Sequence, residues 1–463
     1  MSHAIHESAH QGAIVTRFVS QLHSAGMNSA DAQARSALFE GLLRELRALC
    51  DGPMDRPCAF FVPGRIEVLG KHTDYAGGRS LLCAVERGVC LAAAPRADAQ
   101  IHVIDASRNL ETRFAFEPHQ EISSGHWSSY AVTVARRIAR DFPAARTGAE
   151  IIFSSDLPRA SGISSSSALV IAIFSALAEI NSLPQMGAYQ RAIRTCEDLA
   201  SYLAAVENGF EFGSFSSDSG VGTLGGSEDH TAILCCRPGH LRQYSFCPPR
   251  LEREIRMPEQ HCFVIAASGV EADKIGAARD SYNRCSLAAR KIFALWRTVT
   301  KRDDASLGAV LTSGASSRER LFQIVRESAD AEFPPEGLLK RLAQFVEESA
   351  EIIPAASQAL SRGDLAAFGK LVDRSESLAE THLGNQIPET IELARSAREL
   401  GALAASAFGA GFGGSVWALV PPARTKEFRD AWAANYRAKY PHRSEASEFL
   451  ISGAGPGRIQ LHC

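Results

Sequence analysis

The pattern of apolar and polar positions is clearest where a predicted strand, a polar loop and a predicted helix follow one another. Ala149 to Ser154 carries isoleucines and an aromatic residue without a breaker, which predicts a strand. A loop of small residues runs from Leu157 to Ala168, and the apolar run from Leu169 to Ile180 predicts a helix. Four serines, Ser164 to Ser167, stand where that helix begins. They can cap it and leave its first N–H groups open to an anion such as phosphate, although serine tracts more often form flexible linkers.

Other parts of the chain show different periodicities. Thr16 to Cys50 has apolar residues at helical spacing, which predicts a helical cover. Phe60 to Phe116 contains short β-like runs separated by Gly and Asp, which predict a largely antiparallel sheet. Ala188 to Val206 predicts a helix that ends near Asn208-Gly209, and helical periodicity dominates from Glu271 to Leu403.

Further strands are predicted at Thr231 to Cys236, at Cys262 to Ala266 and at Ser415 to Val420. A chain of 463 residues exceeds the size at which one core keeps growing, so we expect two domains. Pro248-Pro249 is the best candidate for the crossing between them. We predict a helical cover over residues 1–55, an N-terminal domain over 56–255 and a C-terminal domain over 256–463.

Composition narrows the class of protein. Apolar residues make up 45% of the chain and charged residues 22%, which is typical of a soluble globular protein. The formal net charge of −3, without a Lys/Arg run, argues against nucleic acid or a membrane surface as a partner. The first residues do not resemble a secretion signal, and the longest apolar run is too short for a bilayer, which takes ~20 residues. The eleven cysteines form no Cys-x-x-Cys pair, so we expect reduced thiols in a cytoplasmic protein.

Two further stretches carry candidate chemistry. Between Pro63 and Tyr75, two glycines bracket a short strand, and Lys71 to Asp74 follow as four polar or ionisable residues. Such a cluster at a strand end suits hydrogen bonding to a sugar or polyol, with a solvated turn as the alternative. Between Gly225 and His230, Glu228 and Asp229 stand side by side and could accept a proton or hold a metal, or form a simple acidic loop.

Gly409 to Gly414 formally satisfies the G-x-G-x-x-G pattern of dinucleotide-binding proteins. That pattern has its meaning only between a strand and a helix, whereas here a helix is predicted before it and a strand after it. We therefore expect its glycines to let the backbone approach a neighbouring loop or a phosphate closely. The chain contains neither a Walker loop nor the H-R-D and D-F-G motifs of protein kinases.

Taken together and in this order, three of these stretches resemble the three motifs of the GHMP small-molecule kinases, and the galactokinase family most closely. Pro63 to Gly70 with His72 to Tyr75 resembles the galactokinase signature. Leu157-Pro158 with Gly162 to Ser166 resembles the phosphate-binding motif, and Gly409 to Gly414 resembles the third motif. The resemblance extends from about Pro63 to Leu419.

The resemblance implies an α+β fold in two lobes, with a mixed or antiparallel sheet in the N-terminal lobe and a helix-rich α+β C-terminal lobe. Nucleotide and sugar would bind in the cleft between the lobes. The implied activity is a sugar 1-kinase that phosphorylates the anomeric hydroxyl of galactose or a related sugar, with ATP and Mg²⁺. The implied partners are small molecules, and the sequence does not indicate an oligomeric state.

The resemblance also assigns roles to individual residues. Asp229 would be the catalytic carboxylate, and Arg65 would keep it ionised and stabilise charge on the phosphoryl group. Ser166 and Glu207 would be the two protein ligands of Mg²⁺. The substrate-binding positions would be Lys71, His72, Asp74, Gly226 and Tyr282. The nucleotide-binding positions would be Gly162, Ser164, Ser165, Ser166, Gly411 and Gly413.

The chain departs from the family pattern at informative positions. Lys71 replaces a glutamate that contacts the hydroxyl at carbon six of the sugar, and a lysine there would suit the carboxylate of galacturonate. The alternative is that Lys71 turns outward and galactose still binds. Glu228-Asp229-His230 replaces the usual Met-Asp-Gln, and the segment after Glu207 is longer than in typical members, so Glu228 could be the acting carboxylate. Ala160 and Ser161 are milder changes in the phosphate loop.

Two other functions compete with a sugar kinase. One is a catalytically silent sensor of sugar and ATP that keeps the fold without turnover. Retention of Arg65, Asp229, Ser166 and Glu207 argues against it, since a sensor need not keep all four. The other is a GHMP kinase of a non-sugar alcohol such as mevalonate or homoserine. The tetrad His72 to Tyr75 argues against that function, because it belongs to the sugar branch.

Overall fold

The first sheet forms around two long, buried strands. The computed structural model describes residues 17–50, 54–123, 125–158, 161–272 and 279–463. Strand β1 (Cys58–Leu69) pairs antiparallel with β2 (Arg79–Pro95) along nearly its whole length. Alternate residues of β1 enter different cores: Phe60 packs on one face of the sheet and Phe61 on the other. Both faces are therefore covered, which explains the nearly continuous apolar sequence of these strands.

The sheet has eight strands in the order β12-β1-β2-β5-β3-β4, with β6 beside β2 and β7 beside β6. The additional strands are β3 (Gln100–Asp105), β4 (Leu110–Ala115), β5 (Ala149–Ser155), β6 (His240–Ser245), β7 (Arg250–Arg256) and β12 (Ile459–Leu461). The β3–β5 pair is parallel, whereas the other pairs of described strands in this sheet are antiparallel. The prediction of a largely antiparallel, mixed sheet is confirmed.

Helices cover both faces of this sheet. Residues 17–24 are helical, and α1 (Ser29–Leu49) follows with its apolar side against Phe61. This is the predicted helical cover. The other face carries α2 (Ser129–Asp141), α3 (Ser165–Ile180), α4 (Gly187–Ala192), α5 (Cys196–Asn208) and α6 (Glu228–Cys235). Helix α3 is buried along most of its length, so it is apolar all round rather than on one stripe.

Two predictions on this face were wrong. The single helix expected from Ala188 to Val206 is divided into α4 and α5, because Thr195 forms a capping box with Asp198 and starts a new helix. Its predicted end is confirmed, since Gly209 caps α5 at a φ of 78°. The strand expected from Thr231 to Cys236 is α6. A short apolar run cannot distinguish a strand from a buried helix, and the acidic first turn of α6 favours a helix N-terminus.

The second sheet has four antiparallel strands in the order β11-β8-β10-β9. They are β8 (Cys262–Ala267), β9 (Ala404–Phe408), β10 (Ser415–Val420) and β11 (Glu448–Ser452). Its lobe also contains α7 (Arg279–Thr300), α8 (Leu307–Thr312), α9 (Ser317–Arg326), α10 (Pro335–Val346), α11 (Ile353–Ser361), α12 (Leu365–Leu378), α13 (Pro388–Glu399) and α14 (Thr425–Lys439). Two π-helical turns, Glu347–Ile352 and Ala379–Leu383, follow α10 and α12. This helix-rich lobe and the mixed sheet together form the α+β fold that the resemblance implied.

The chain crosses from the first sheet to the second between β7 and β8. It returns at its end, where β12 pairs with β1 and Gly455 bridges to Ala84. We predicted a C-terminal domain over residues 256–463. The last strand of that range, β12, instead belongs to the first sheet. In the described part of the chain, no helix combines the length and apolar character needed to cross a membrane.

Candidate active site

A small cavity of about 40 Å³ lies where the C-terminal half of β1, the loop after it, α6 and α7 meet. Six residues predicted from the sequence line it: Arg65, His72, Asp74, Gly226, Asp229 and Tyr282. Glu67, Tyr75, Glu228, Gly409 and Ala410 complete the lining. The structure thus brings together side chains from both lobes that are more than 300 residues apart in the chain. We refer to this space as the sugar cavity because of the residues predicted for it.

Arg65 and Asp229 form an ion pair on the wall of this cavity. Arg65 is 1% exposed, and its Nη2 lies 2.6 Å from Oδ1 of Asp229. Its Nη1 donates to the carbonyl oxygen of Gly162 in the serine-rich loop at 2.5 Å. Burial alone would lower the pKa of Arg65, but the charges of Asp229 and Glu228 raise it above its ordinary value. One permanently charged guanidinium therefore joins the predicted catalytic carboxylate to the predicted phosphate loop.

The loop after β1 is held in an unusual backbone conformation that presents His72 and Asp74. His72 has a φ of 57°, and its ring nitrogens lie 2.9 Å from the hydroxyl of Tyr75 and 2.9 Å from the carbonyl of Ala410. An Oδ2 of Asp74 accepts the backbone N–H of Glu228 at 3.0 Å. A Cβ on Gly226 would lie 2.2 Å from that Oδ2, so a side chain at position 226 would collide with Asp74.

Lys71 points away from the sugar cavity. Its Nζ donates to Ser406 at 2.6 Å and to Ser375 at 3.2 Å, and it lies 3.6 Å from Oε2 of Glu376. The side chain is 1% exposed and does not line the cavity. Burial raises the pKa of Glu376, and the charge of Lys71 opposes that rise. In the structure, Lys71 thus joins the end of β1 to the second lobe.

Glu67 and Glu228 are two further carboxyl groups in the cavity wall. The sequence analysis considered Glu228 as a possible base and did not identify Glu67. Glu228 lies 3.8 Å from Nε of Arg65, and it accepts a hydrogen bond from Ser80 at 2.6 Å. Burial raises the pKa of Glu67 to about 7, and burial together with the neighbouring carboxylates raises that of Glu228 well above its ordinary value. A carboxyl that keeps its proton is a poor base, which favours Asp229 over Glu228 as the acting carboxylate. Glu67 could have been predicted from the strand, because side chains two residues apart in a strand lie on the same face, and Glu67 is two residues after Arg65.

The serine-rich loop enters α3 without a side-chain cap. Ser164, the residue before the first turn of α3, has a φ of 59° and its side chain does not cap the helix. The buried Oγ of Ser164 has no partner among the described residues. The predicted serine cap is therefore wrong, while the prediction of a helix with open first N–H groups is confirmed by α3. Arg159 and Ala160 lie outside the described residues.

A larger cavity of about 250 Å³ opens beside this loop. Gly162, Ser164, Ser165 and Ser166 line it, as predicted for nucleotide-binding residues. Its opposite walls include the aromatic side chains of Trp127, Tyr130 and Phe153, which the sequence analysis did not identify. Aromatic faces beside open helix N–H groups suit a purine base and its phosphates. We refer to this space as the nucleotide cavity.

Ser166 and Glu207 remain the predicted metal ligands, and the structure adds Ser167 as a candidate beside them. Oγ of Ser167, not Ser166, donates to Oε2 of Glu207 at 2.9 Å and lies 3.5 Å from Oδ2 of Asp229. Nε2 of His230 is 3.0 Å from the same Glu207 oxygen. Hydroxyl and carboxylate oxygens are donors that Mg²⁺ prefers. Within the described residues, no three His, Cys, Asp or Glu side chains are arranged to hold a metal, so the protein offers a partial ligand set.

The glycine-rich third motif is a tight connection between β9 and β10. A strand precedes it, so the helix predicted before it was wrong. A strand also follows it, as predicted, and because a dinucleotide-binding motif must be followed by a helix, the dinucleotide interpretation remains excluded. A Cβ on Gly409 would lie 2.7 Å from the carbonyl of Gly162, so this motif packs on the serine-rich loop. Gly411 and Gly413 instead abut the carbonyls of Asn385 and Val270, outside the lining of the nucleotide cavity.

Comparisons with known proteins agree with this arrangement. Models of the GHMP kinases N terminal domain and of GHMP kinases C terminal match residues 129–220 and 356–438. Both lobes are therefore similar to those of the GHMP kinases. The galactokinase galactose-binding signature matches residues 51–95, which include β1 and the loop after it. Among the GHMP kinases, the chain is thus similar to the galactokinases.

Individual relatives extend over most of the chain. A galactokinase of Chloroflexus aggregans is 29% identical over 410 residues, which are 85% of this chain and 91% of that protein. A galactokinase of Roseiflexus sp. is 27% identical over 378 residues, 81% of this chain and 86% of its own. The structure of Lactococcus lactis galactokinase complexed with galactose covers 92% of this chain and 99% of that one. Its TM-score is 0.73 at 23% identity, which shows the same fold.

Proposed function

We propose that this protein is an ATP-dependent sugar 1-kinase that transfers the γ-phosphoryl group of ATP to the anomeric hydroxyl of a hexose. The observation that carries the proposal is the ion pair between Arg65 and Asp229, located between the sugar cavity and the serine-rich loop. Similarity to the GHMP kinases supports the reaction class, and the relatives named galactokinase support a hexose as the acceptor.

The residues on either side of the ion pair have complementary tasks. Asp229 accepts the proton of the attacking hydroxyl or steers it electrostatically. Arg65 stabilises the charge that develops on the transferred group, and its hydrogen bond to Gly162 keeps the serine-rich loop in register with the sugar. The open N–H groups at the start of α3 bind the phosphates. No covalent enzyme intermediate is required, because positioning and charge stabilisation supply the catalysis.

Magnesium fits the oxygen atoms beside this ion pair. Glu207 and a hydroxyl of the serine-rich loop would hold it, with Ser167 favoured over Ser166 by the hydrogen bond to Glu207. When bound there, Mg²⁺ would neutralise part of the negative charge of the ATP phosphates. It commonly retains waters and takes few protein ligands, so a partial set is sufficient.

The identity of the sugar depends on Lys71. The galacturonate hypothesis requires its ammonium group to reach the carboxylate of the sugar. The contacts of Nζ with Ser406 and Glu376 oppose that requirement, because the charge is already compensated inside the second lobe. The carboxyl groups of Glu67 and Glu228 in the cavity wall also disfavour an acidic sugar. We therefore propose an uncharged or cationic hexose, with galactose as the reference substrate.

The sensor alternative predicts binding without turnover. ADP release from Mg-ATP with galactose, galacturonate, glucose and mevalonate separates the two functions. We expect turnover with a hexose and none with mevalonate. Asp229→Asn should lower kcat at least about a hundredfold, the contribution typical of a positioned acid or base. Asp98→Asn is the control, because Asp98 is exposed and pairs with Arg96 far from the cavity. Sugar and ATP binding without ADP release would favour the sensor.

A further inference from the structure

Glu67, a residue of the sugar-cavity wall, has an unsatisfied oxygen. Its side chain is 4% exposed and lines the cavity beside Arg65. Its Oε1 has no hydrogen-bond partner among the described residues. Burial raises the pKa of this carboxyl, and the charges of Arg65 and Lys71 and a hydrogen bond with Glu228 oppose that rise; a hydrogen bond between two carboxyl groups requires a proton on one of them. A buried acceptor of this kind is costly, so the free Oε1 indicates a donor that arrives with the substrate.

The cavity also contains more acid than base. Glu67, Asp74, Glu228 and Asp229 contribute four carboxyl groups, and Arg65 is the one guanidinium or ammonium group among the described residues that line it. Arg65 is paired with Asp229. The ammonium of Lys71 is directed to Glu376 and outside the lining. Arg65 also lies 3.8 Å from Glu228, so one guanidinium is shared by several carboxyl groups, which outnumber the cationic side chains among the described residues of the lining.

We propose that the preferred acceptor of this kinase is a 2-amino-2-deoxyhexose with a free, protonated amino group, which Glu67 and Glu228 bind. The inference rests on the proposed function, because it names the substrate class of that same site. An ammonium group supplies both the donor that Oε1 lacks and a positive charge that offsets the excess of carboxyl groups in the wall. A hydroxyl group supplies only the donor, and a carboxylate supplies neither.

The position of the amino group follows from the ion pair. Asp229 acts on the hydroxyl at carbon one, and Arg65 contacts both Asp229 at 2.6 Å and Glu228 at 3.8 Å. The Glu67–Glu228 pair thus lies one side chain away from the reacting hydroxyl. The ring carbon beside the anomeric carbon is carbon two. An amino group is close in size to the hydroxyl it replaces, so the small cavity accommodates either one.

The decisive measurement is kcat/KM for galactosamine, galactose and N-acetylgalactosamine with Mg-ATP near neutral pH. We expect galactosamine to exceed galactose about tenfold to a hundredfold, the range of a charge-assisted over a neutral hydrogen bond. N-acetylgalactosamine should be the poorest of the three, because its amide is uncharged and larger. Equal turnover, or a preference for galactose, overturns the inference and indicates that water fills the space at Oε1.

A variant tests the residues themselves. Glu67→Gln should reduce the galactosamine-to-galactose ratio of kcat/KM about tenfold, and calorimetry should show the same loss in binding of galactosamine without ATP. Glu150→Gln is the matched control, because Glu150 is also buried, at 3% exposed, accepts a hydrogen bond from Arg96 at 2.6 Å and does not line the cavity. Its ratio should stay unchanged. An unchanged ratio in Glu67→Gln overturns the role of Glu67.

The failure of this inference differs from the failure of the proposed function. If galactose is phosphorylated and galactosamine is not preferred, the chain is a sugar kinase and the inference alone is wrong. If none of the sugars releases ADP, the proposed function itself fails. Should Glu67→Gln not fold, the sugar panel with the unaltered protein still decides the question.

Discussion

The two cavities of the active site differ in size and in the chemistry of their walls. The sugar cavity is about 40 Å³ and is lined by ionisable side chains that are themselves held by hydrogen bonds, such as Asp74 and Glu228. The nucleotide cavity is about 250 Å³ and is lined by backbone, hydroxyl groups and the aromatic rings of Trp127 and Phe153. Arg65 contacts both regions, through Asp229 on one side and Gly162 on the other.

This difference indicates that the two cavities select their substrates by different means. Buried polar groups that must find partners discriminate strongly between substrates, because a substrate without the matching group leaves them unpaired. Backbone N–H groups and aromatic faces bind any group of the right charge and shape. We therefore expect selectivity among sugars to depend on a few carboxyl groups, and ATP binding to depend on the conformation of the serine-rich loop.

The largest effect should come from removing the residue that joins the two cavities. Arg65→Met leaves Asp229 and Glu228 buried without their cation, which should lower the free energy of unfolding by about 3–5 kcal/mol. We expect kcat to fall about a thousandfold, because the charge on the transferred group also loses its stabiliser. Urea denaturation and ADP release measure the two losses.

Arg65→Lys is the matched control for that change. It keeps the charge but cannot bond Asp229 and Gly162 at the same time, since a lysine lacks the fork of a guanidinium. Stability should therefore be largely restored while kcat stays low. Full activity in Arg65→Met would refute the role of Arg65 as the link between the cavities.

Smaller effects, each on the KM of one substrate, should come from two glycine substitutions, one in each cavity. Gly226→Ala places a Cβ 2.2 Å from Oδ2 of Asp74 and should raise KM for the sugar about tenfold to a hundredfold. Gly162→Ala forces a side chain into a φ of 78° and a 3.1 Å contact with the carbonyl of Phe408, and should raise KM for ATP about tenfold. Steady-state kinetics with each substrate varied in turn measures both. Each variant serves as the control for the other, and an equal rise of both KM values in either one would contradict independent cavities.

The smallest effect on sugar choice should come from Lys71. Lys71→Met should lower the free energy of unfolding by about 3 kcal/mol, because Glu376 stays buried without its cation. The double variant Lys71→Met, Glu376→Gln should recover most of that loss, because it removes the unpaired charge. The ratio of galactose to galacturonate turnover should change by no more than about threefold, as for a side chain that shares no partner with the sugar. A strong shift of that ratio would restore the hypothesis that Lys71 binds a carboxylate.

Particular residues show where reasoning from sequence succeeds. The motifs around Arg65, Asp74, Gly162 and Asp229 were identifiable because, in this order along the chain, they resemble the motifs of a known kinase family. The α6 segment was mistaken for a strand because its apolar run is short and its periodicity ambiguous. The hydrogen bond from Ser167 to Glu207 was not predictable, because four serines in a row are indistinguishable until the direction of each hydroxyl is known.

The sequence by itself predicted the fold class and, through the resemblance of three motifs to those of the GHMP kinases, six residues that line the sugar cavity and four that line the nucleotide cavity. These predictions were possible because each motif lies within a few neighbouring positions. The tertiary structure alone decided what surrounds each charged group. Lys71 is paired with Glu376 and Ser406, which lie about 300 residues further along the chain. Oε1 of Glu67 has no partner within the part of the chain that the structure describes. Charge balance in a buried site depends on such distant neighbours, and no local pattern contains them.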